Sequence, residues 1–182
     1  MVCTMPVWTW RYKSRRKRSR GTRGISRWFS CALVLFTQLA LCGQTLQISS
    51  AKASRGKRVT LQVVLTSPAG REPLGLQWET IFPADQLVPL EGGISLGPVT
   101  RAAGKSVQCA AKPQAGGTSG TKCILIGGQK PIPNGVIALL QFSVLSKAPE
   151  GSARVRVDPA TAVFKDLKQT QLPAVEAVVK IR

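Results

Sequence analysis

An all-β fold, with two antiparallel sheets stacked as a sandwich, is what this 182-residue sequence predicts. Three observations carry that reading. Apolar side chains recur at every second position in short runs. Turn-forming clusters of glycine, proline, asparagine and serine separate the runs at intervals of about 8 to 16 residues. No window sustains a helical period.

The clearest run is GVIALLQFSVLS, residues 135–146. Val136, Ala138, Leu140, Phe142 and Val144 fall on one face, and Ile137 and Leu139 on the other, which turns polar at Gln141 and Ser143. Such a strand is covered on one side throughout and on the other for its first half, as a central strand with a partly open face would be. Turns flank it at Asn134-Gly135 and at Ala148-Pro149-Glu150-Gly151.

The other strands follow in order. TLQISS begins at Thr45. In residues 58–66, Val59, Leu61, Val63 and Leu65 face in while Arg58, Thr60 and Gln62 face out. Residues 74–82 place Leu74, Leu76, Trp78 and Phe82 inward, with Gln77 and Glu79 opposite. Residues 87–94 are broken by Pro89 and Gly92-Gly93, the mark of an edge or bulged strand. SVQCAAK and KCILIGG form a hairpin around PQAGGTSGT. Residues 153–158 and 161–164 give two short strands, and Val175, Ala177, Val179 and Ile181 mark the last.

Hydrophobic residues make up 43% of the chain, enough for a packed core with no cofactor, and none is expected. The absence of histidine removes histidine triads, histidine-bound zinc and imidazole proton shuttles. A CxxC metal arrangement is absent too, so no metal site is expected. The net charge of +18 is concentrated at the head, where nine of the 26 basic residues precede Trp28 with no acid among them. Beyond that point 17 basic and 8 acidic residues leave +9, spread along the strands. This distribution does not point to nucleic acid.

The apolar stretch at residues 28–42 is shorter than the roughly 20 residues that span a bilayer comfortably. Basic residues, a short apolar core and small residues at its end describe a secretory signal over residues 1–43, with an uncleaved signal-anchor as the alternative. Contact with a membrane is expected only through this segment. Leu39-Ala40-Leu41-Cys42 partly matches a lipoprotein box, with Leu41 too large for its place, and Met5 is a second possible start. Residues 44–182 then form one domain. Only Cys109 and Cys123 fall within it, an even count suited to an oxidising compartment. The hairpin can set them opposite one another as a disulfide; two unpaired buried thiols are the alternative.

The order of features resembles a known family. LGLQWETIFPADQL, then NGVIALLQFSV followed by APEGS, then Val163-Phe164-Lys165-Asp166 ahead of Leu172-Pro173-Ala174-Val175, is similar to the cohesin domain of cellulosome scaffolds. The resemblance covers residues 45–182 and implies a jelly-roll sandwich of about nine strands, related in fold to cellulose-binding modules. It implies binding of a dockerin module through one sheet face, using outward positions of the third and eighth strands. Gln77, Glu79, Gln141 and Ser143 are those positions by this reading. The segment FKDLKQTQLP departs from the family's acidic, asparagine-rich turn, and the cysteine pair and basic surface depart from it too.

Sites for chemistry are hard to find. Trp78, Phe82, Phe142 and Phe164 all lie in apolar runs, so no exposed aromatic platform for a sugar is visible. The eight carboxylates are scattered. Two Ser-x-x-Lys matches and Gly104-Lys105-Ser106 lack the helix that their chemistry requires. The expectation is an exported bacterial module without catalytic residues, secreted or held in the cell envelope. It would recognise a dockerin-like or cell-envelope protein. The alternative is a carbohydrate-binding module of an extracellular polysaccharide-degrading system.

Overall fold

The computed structural model describes residues 43–114 and 116–182; apart from Gly43, the segment read as an export signal lies outside them. In chain order the elements are β1 (Thr45–Ile48), β2 (Ala51–Ala53), β3 (Arg58–Thr66), β4 (Gly75–Pro83), β5 (Leu87–Leu96), α1 (Pro98–Ala102), β6 (Ser106–Pro113), β7 (Thr118–Ile126), β8 (Gly135–Val144), β9 (Gly151–Val163), β10 (Gln169–Leu172) and β11 (Val175–Ile181). They form two sheets. One has the order β1-β3-β8-β5, and the other β2-β11-β9-β4-β7-β6, with β10 added beside β9. Every pairing is antiparallel except that of β2 with β11.

Alternation in the strands builds the core between the sheets. Val59, Leu61, Val63 and Leu65 of β3 and Ala138, Leu140, Phe142 and Val144 of β8 come from one side. Leu76, Trp78 and Phe82 of β4 and Val155 and Val157 of β9 meet them from the other. Phe82 and Phe142 touch edge to face across the interior, with ring centroids 5.1 Å apart. As expected, β8 lies inside its sheet, between β3 and β5, and β5 is a bulged edge strand whose register shifts between Pro89 and Ile94.

Three features differ from the sequence reading. The two short strands expected at residues 153–164 are one strand, β9; Pro159, which has no N–H to donate, sits where the ladder with β4 shifts register between Trp78 and Thr80. The short strands β2 and β10 are added at pairing sites that a single strand's periodicity does not reveal. A five-residue helix, α1, is too short to show a helical period. It continues from β5 alongside β8, and the buried Thr100 hydroxyl donates to the Ile137 carbonyl at 2.7 Å. Ile137, which the ladder with β3 skips at its register shift, is fully buried and belongs to the core, where strict alternation would have turned it outward.

Cys109 and Cys123 face each other across β6 and β7 and are joined as a disulfide. The bond ties edge strand β6 to the core, since Cys123 is fully buried and pairs on its other side with Trp78. Closing a loop of this length contributes roughly 3 kcal/mol in the chain-entropy model. Reduction should therefore lower the urea midpoint of unfolding, and intact mass should show no alkylation at these cysteines before reduction.

Candidate partner-docking face

The outer face of the larger sheet carries an apolar trough. On β7, Cys123 and Leu125 point inward, so Ile124 and Ile126 point out, and they stay 36% and 40% exposed. On β4 the position beside Ile126 is Gly75, paired on its other side with Val163 of β9. A Cβ built on Gly75 would lie 4.0 Å from Ile126 Cγ2 and 3.8 Å from Val163 Cβ, so the missing side chain is what opens the trough. Two strand spacings put its walls, Ile126 and Val163, about 10 Å apart. Gln77, opposite Ile124 and Thr161, supplies a polar rim, and Gln169 closes one side. The groove has a volume of about 490 Å³. At the tip of the neighbouring β9–β10 turn, Leu167 is 82% exposed with φ 63°, a conformation that favours glycine or asparagine over leucine.

Glu79 lies on the same face, two positions from Gln77, but is only 6% exposed. Both its carboxylate oxygens accept from Lys112 Nζ, at 2.8 and 2.7 Å. Lys112 pairs directly with Gly120 of β7, which puts no side chain of its own between Lys112 and β4.

No family model matches this chain, and no curated protein matches it. Solved structures do. The sixth cohesin of scaffoldin B from Acetivibrio cellulolyticus, crystallised with a dockerin, aligns at a TM-score of 0.60 and 19% identity, over 77% of this chain and 99% of that one. A chain of a type I cohesin–dockerin complex from Clostridium thermocellum aligns at 0.61 and 14%, over 77% and 99%. A non-cellulosomal cohesin from the archaeon Archaeoglobus fulgidus aligns at 0.58 and 13%, over 77% and 91%. The domain has the cohesin fold.

Within this cohesin fold the four positions expected on one face divide between two. Gln77 and Glu79 belong to β4 in the larger sheet, whereas Gln141 and Ser143 belong to β8 in the smaller one. Both strands alternate in the same way, and alternation shows which side chains point out but not which sheet holds the strand. Gln141 and Ser143 therefore lie on the opposite outer surface of the sandwich, beside Thr60 and Arg58. Ile124, Ile126, Gly75, Thr161 and Val163 were not singled out from the sequence. A signal for two of them was present: in KCILIGG both alternating sets are apolar, and a strand with one face in the core must then show apolar groups on the other.

Beneath the end of the trough lies a buried cation. Lys105, 5% exposed, donates from Nζ to the carbonyls of Gly127 at 2.6 Å and Gly128 at 3.4 Å, both of which line the groove. It has no carboxylate partner among the described residues, and desolvation pushes its pKa below the ordinary value. Between that lowered value and 10.5 the unfolded chain holds a proton that the folded chain has released. Stability therefore rises with pH through this window. The protein should gain in urea midpoint relative to Lys105→Met as the pH is raised towards 10.5.

Among the described residues, no group of three or more histidine, cysteine, aspartate or glutamate side chains is placed to hold a metal, and no helix is long and apolar enough to cross a membrane. Trp78, Phe82 and Phe142 are buried, and Phe164 is partly buried against the core.

Proposed function

We propose that this domain is an exported, non-enzymatic assembly module that docks a dockerin-like protein partner on the outer face of its larger sheet. The observation that carries the reading is the trough of Ile124, Ile126 and Val163 over Gly75, exposed apolar surface that a strand-built domain otherwise hides. Gln77 is the one residue expected from the sequence that takes part directly. Glu79, held by Lys112, shapes the face beside it. Cohesin chains crystallised in cohesin–dockerin complexes share the fold, which supports a protein as the partner. The disulfide supports export to an oxidising compartment, in or beyond the cell envelope.

The carbohydrate reading is weaker because a sugar platform calls for exposed rings, and the four aromatics of the domain are committed to the core or packed against it. A retention experiment separates the two. The purified protein, immobilised, is exposed to the extracellular and envelope fractions of its source organism, and separately to insoluble polysaccharides. Retention of a protein in stoichiometric amount agrees with the proposal. Binding to polysaccharide alone contradicts it.

A further inference from the structure

We infer that the segment seated in the trough presents an aliphatic side chain flanked by carboxylates. This rests on the docking reading above and adds the chemistry of the partner. The trough itself is uncharged: a glycine floor between Ile126 and Val163 takes a branched aliphatic group, and Gln77 offers an amide at its rim. The charges around it are unbalanced in one direction. Each carboxylate on this outer face is already engaged by a neighbour within the chain: Glu79 by Lys112 at 2.7 Å, Glu176 by Arg154 at 3.3 Å, and Asp158 by Arg156. Lys122, directly opposite Glu79 on the neighbouring β7, has no carboxylate partner among the described residues, nor have Lys52 and Lys180 at the far edge of the sheet.

A basic partner would find no free anion here and would meet unpaired ammonium groups. An acidic partner gains their attraction and displaces no internal ion pair. Lys122 shares its strand and face with Ile126, about 13 Å away along β7, within the footprint of one docked helix or strand. The surplus of nine positive charges beyond Trp28 steers acidic chains toward the domain from a distance.

The test is a selection of displayed, fully randomised peptides on the immobilised protein, with binders measured again at low and high salt and against two variants. Gly75→Val fills the trough with a β-branched residue that suits a strand, and the added Cβ approaches no atom closer than 3.4 Å. Lys122→Glu reverses the charge beside it. The expected result is enrichment of peptides with Asp or Glu next to Leu, Ile or Val. These should lose binding to Gly75→Val and weaken about tenfold in Lys122→Glu and in high salt.

Peptides that require the open trough but carry no acidic residues would overturn this inference and leave the docking reading standing. Binders indifferent to Gly75→Val, or no binders at all, would overturn both. Association of the chain with itself that Gly75→Val abolishes would assign the trough to a second copy, again against the inference.

Discussion

Replacing Trp78 with alanine should destabilise the domain by about 3 to 5 kcal/mol. Trp78 is fully buried at the middle of β4, flanked by Cys123 on β7 and Ala160 on β9. It is the largest side chain in the core, and its loss leaves a cavity that two rigid sheets cannot close. A domain of this size is held by roughly 5 to 15 kcal/mol, so a large share would be lost. The melting temperature should fall by more than about 10 °C. Trp78→Phe is the informative companion. The indole N–H has no hydrogen-bond partner among the described residues. Phenylalanine therefore gives up volume without orphaning any polar group, and it should cost much less than alanine. Equal losses for the two variants would mean that packing volume is not what this residue supplies.

Gly97→Ala should be comparably severe, costing about 3 kcal/mol or more, although only one methyl group is added. The backbone of Gly97 is extended, at φ −70° and ψ 169°, so conformational freedom is not the reason. The reason is contact. A Cβ there would sit 2.0 Å from the Val136 carbonyl oxygen and 2.6 Å from its carbon, both main-chain atoms of β8. Gly97 N–H also donates to the Ile137 carbonyl at 2.9 Å, which fixes the approach. The methyl group must push α1 away from β8, breaking the Thr100 hydrogen bond to the Ile137 carbonyl. Gly43→Ala, where the Cβ meets nothing within 4 Å, should leave the urea midpoint unchanged and serves as the control.

These two positions show what was legible in the sequence. Trp78 was visible as core because Leu76 and Phe82 alternate with it. The same period-2 signal placed β3, β8 and both cysteine strands, and it gave the turn-linked cysteines their partners. Gly97 was not legible, because its role depends on a strand some forty residues later in the chain. The docking face was half legible for a related reason. Gln77 and Gln141 each stand among inward-pointing neighbours and look alike along the chain, yet strand pairing sends β4 and β8 to different sheets. Glu79 reads as a solvated sheet position until Lys112, more than thirty residues later, is seen reaching across Gly120 to it. Gly75 reads as a turn residue before a strand. Its function as the floor of a trough appears only when Ile126 and Val163 are set on either side.

The most direct measurement of the account is a ratio of affinities between two lysine variants on opposite surfaces, for the protein retained from the extracellular or envelope fraction. Ile126→Lys places a charge in the trough, and Gln141→Lys places the same charge on the outer face of the smaller sheet. Both side chains are partly or largely solvent-exposed, so both variants should keep the parent melting temperature to within a few degrees. Ile126→Lys should weaken binding by about a hundredfold while Gln141→Lys leaves it unchanged. Loss of binding in Gln141→Lys, with Ile126→Lys indistinguishable from the parent, would place the partner on the other sheet and contradict the account.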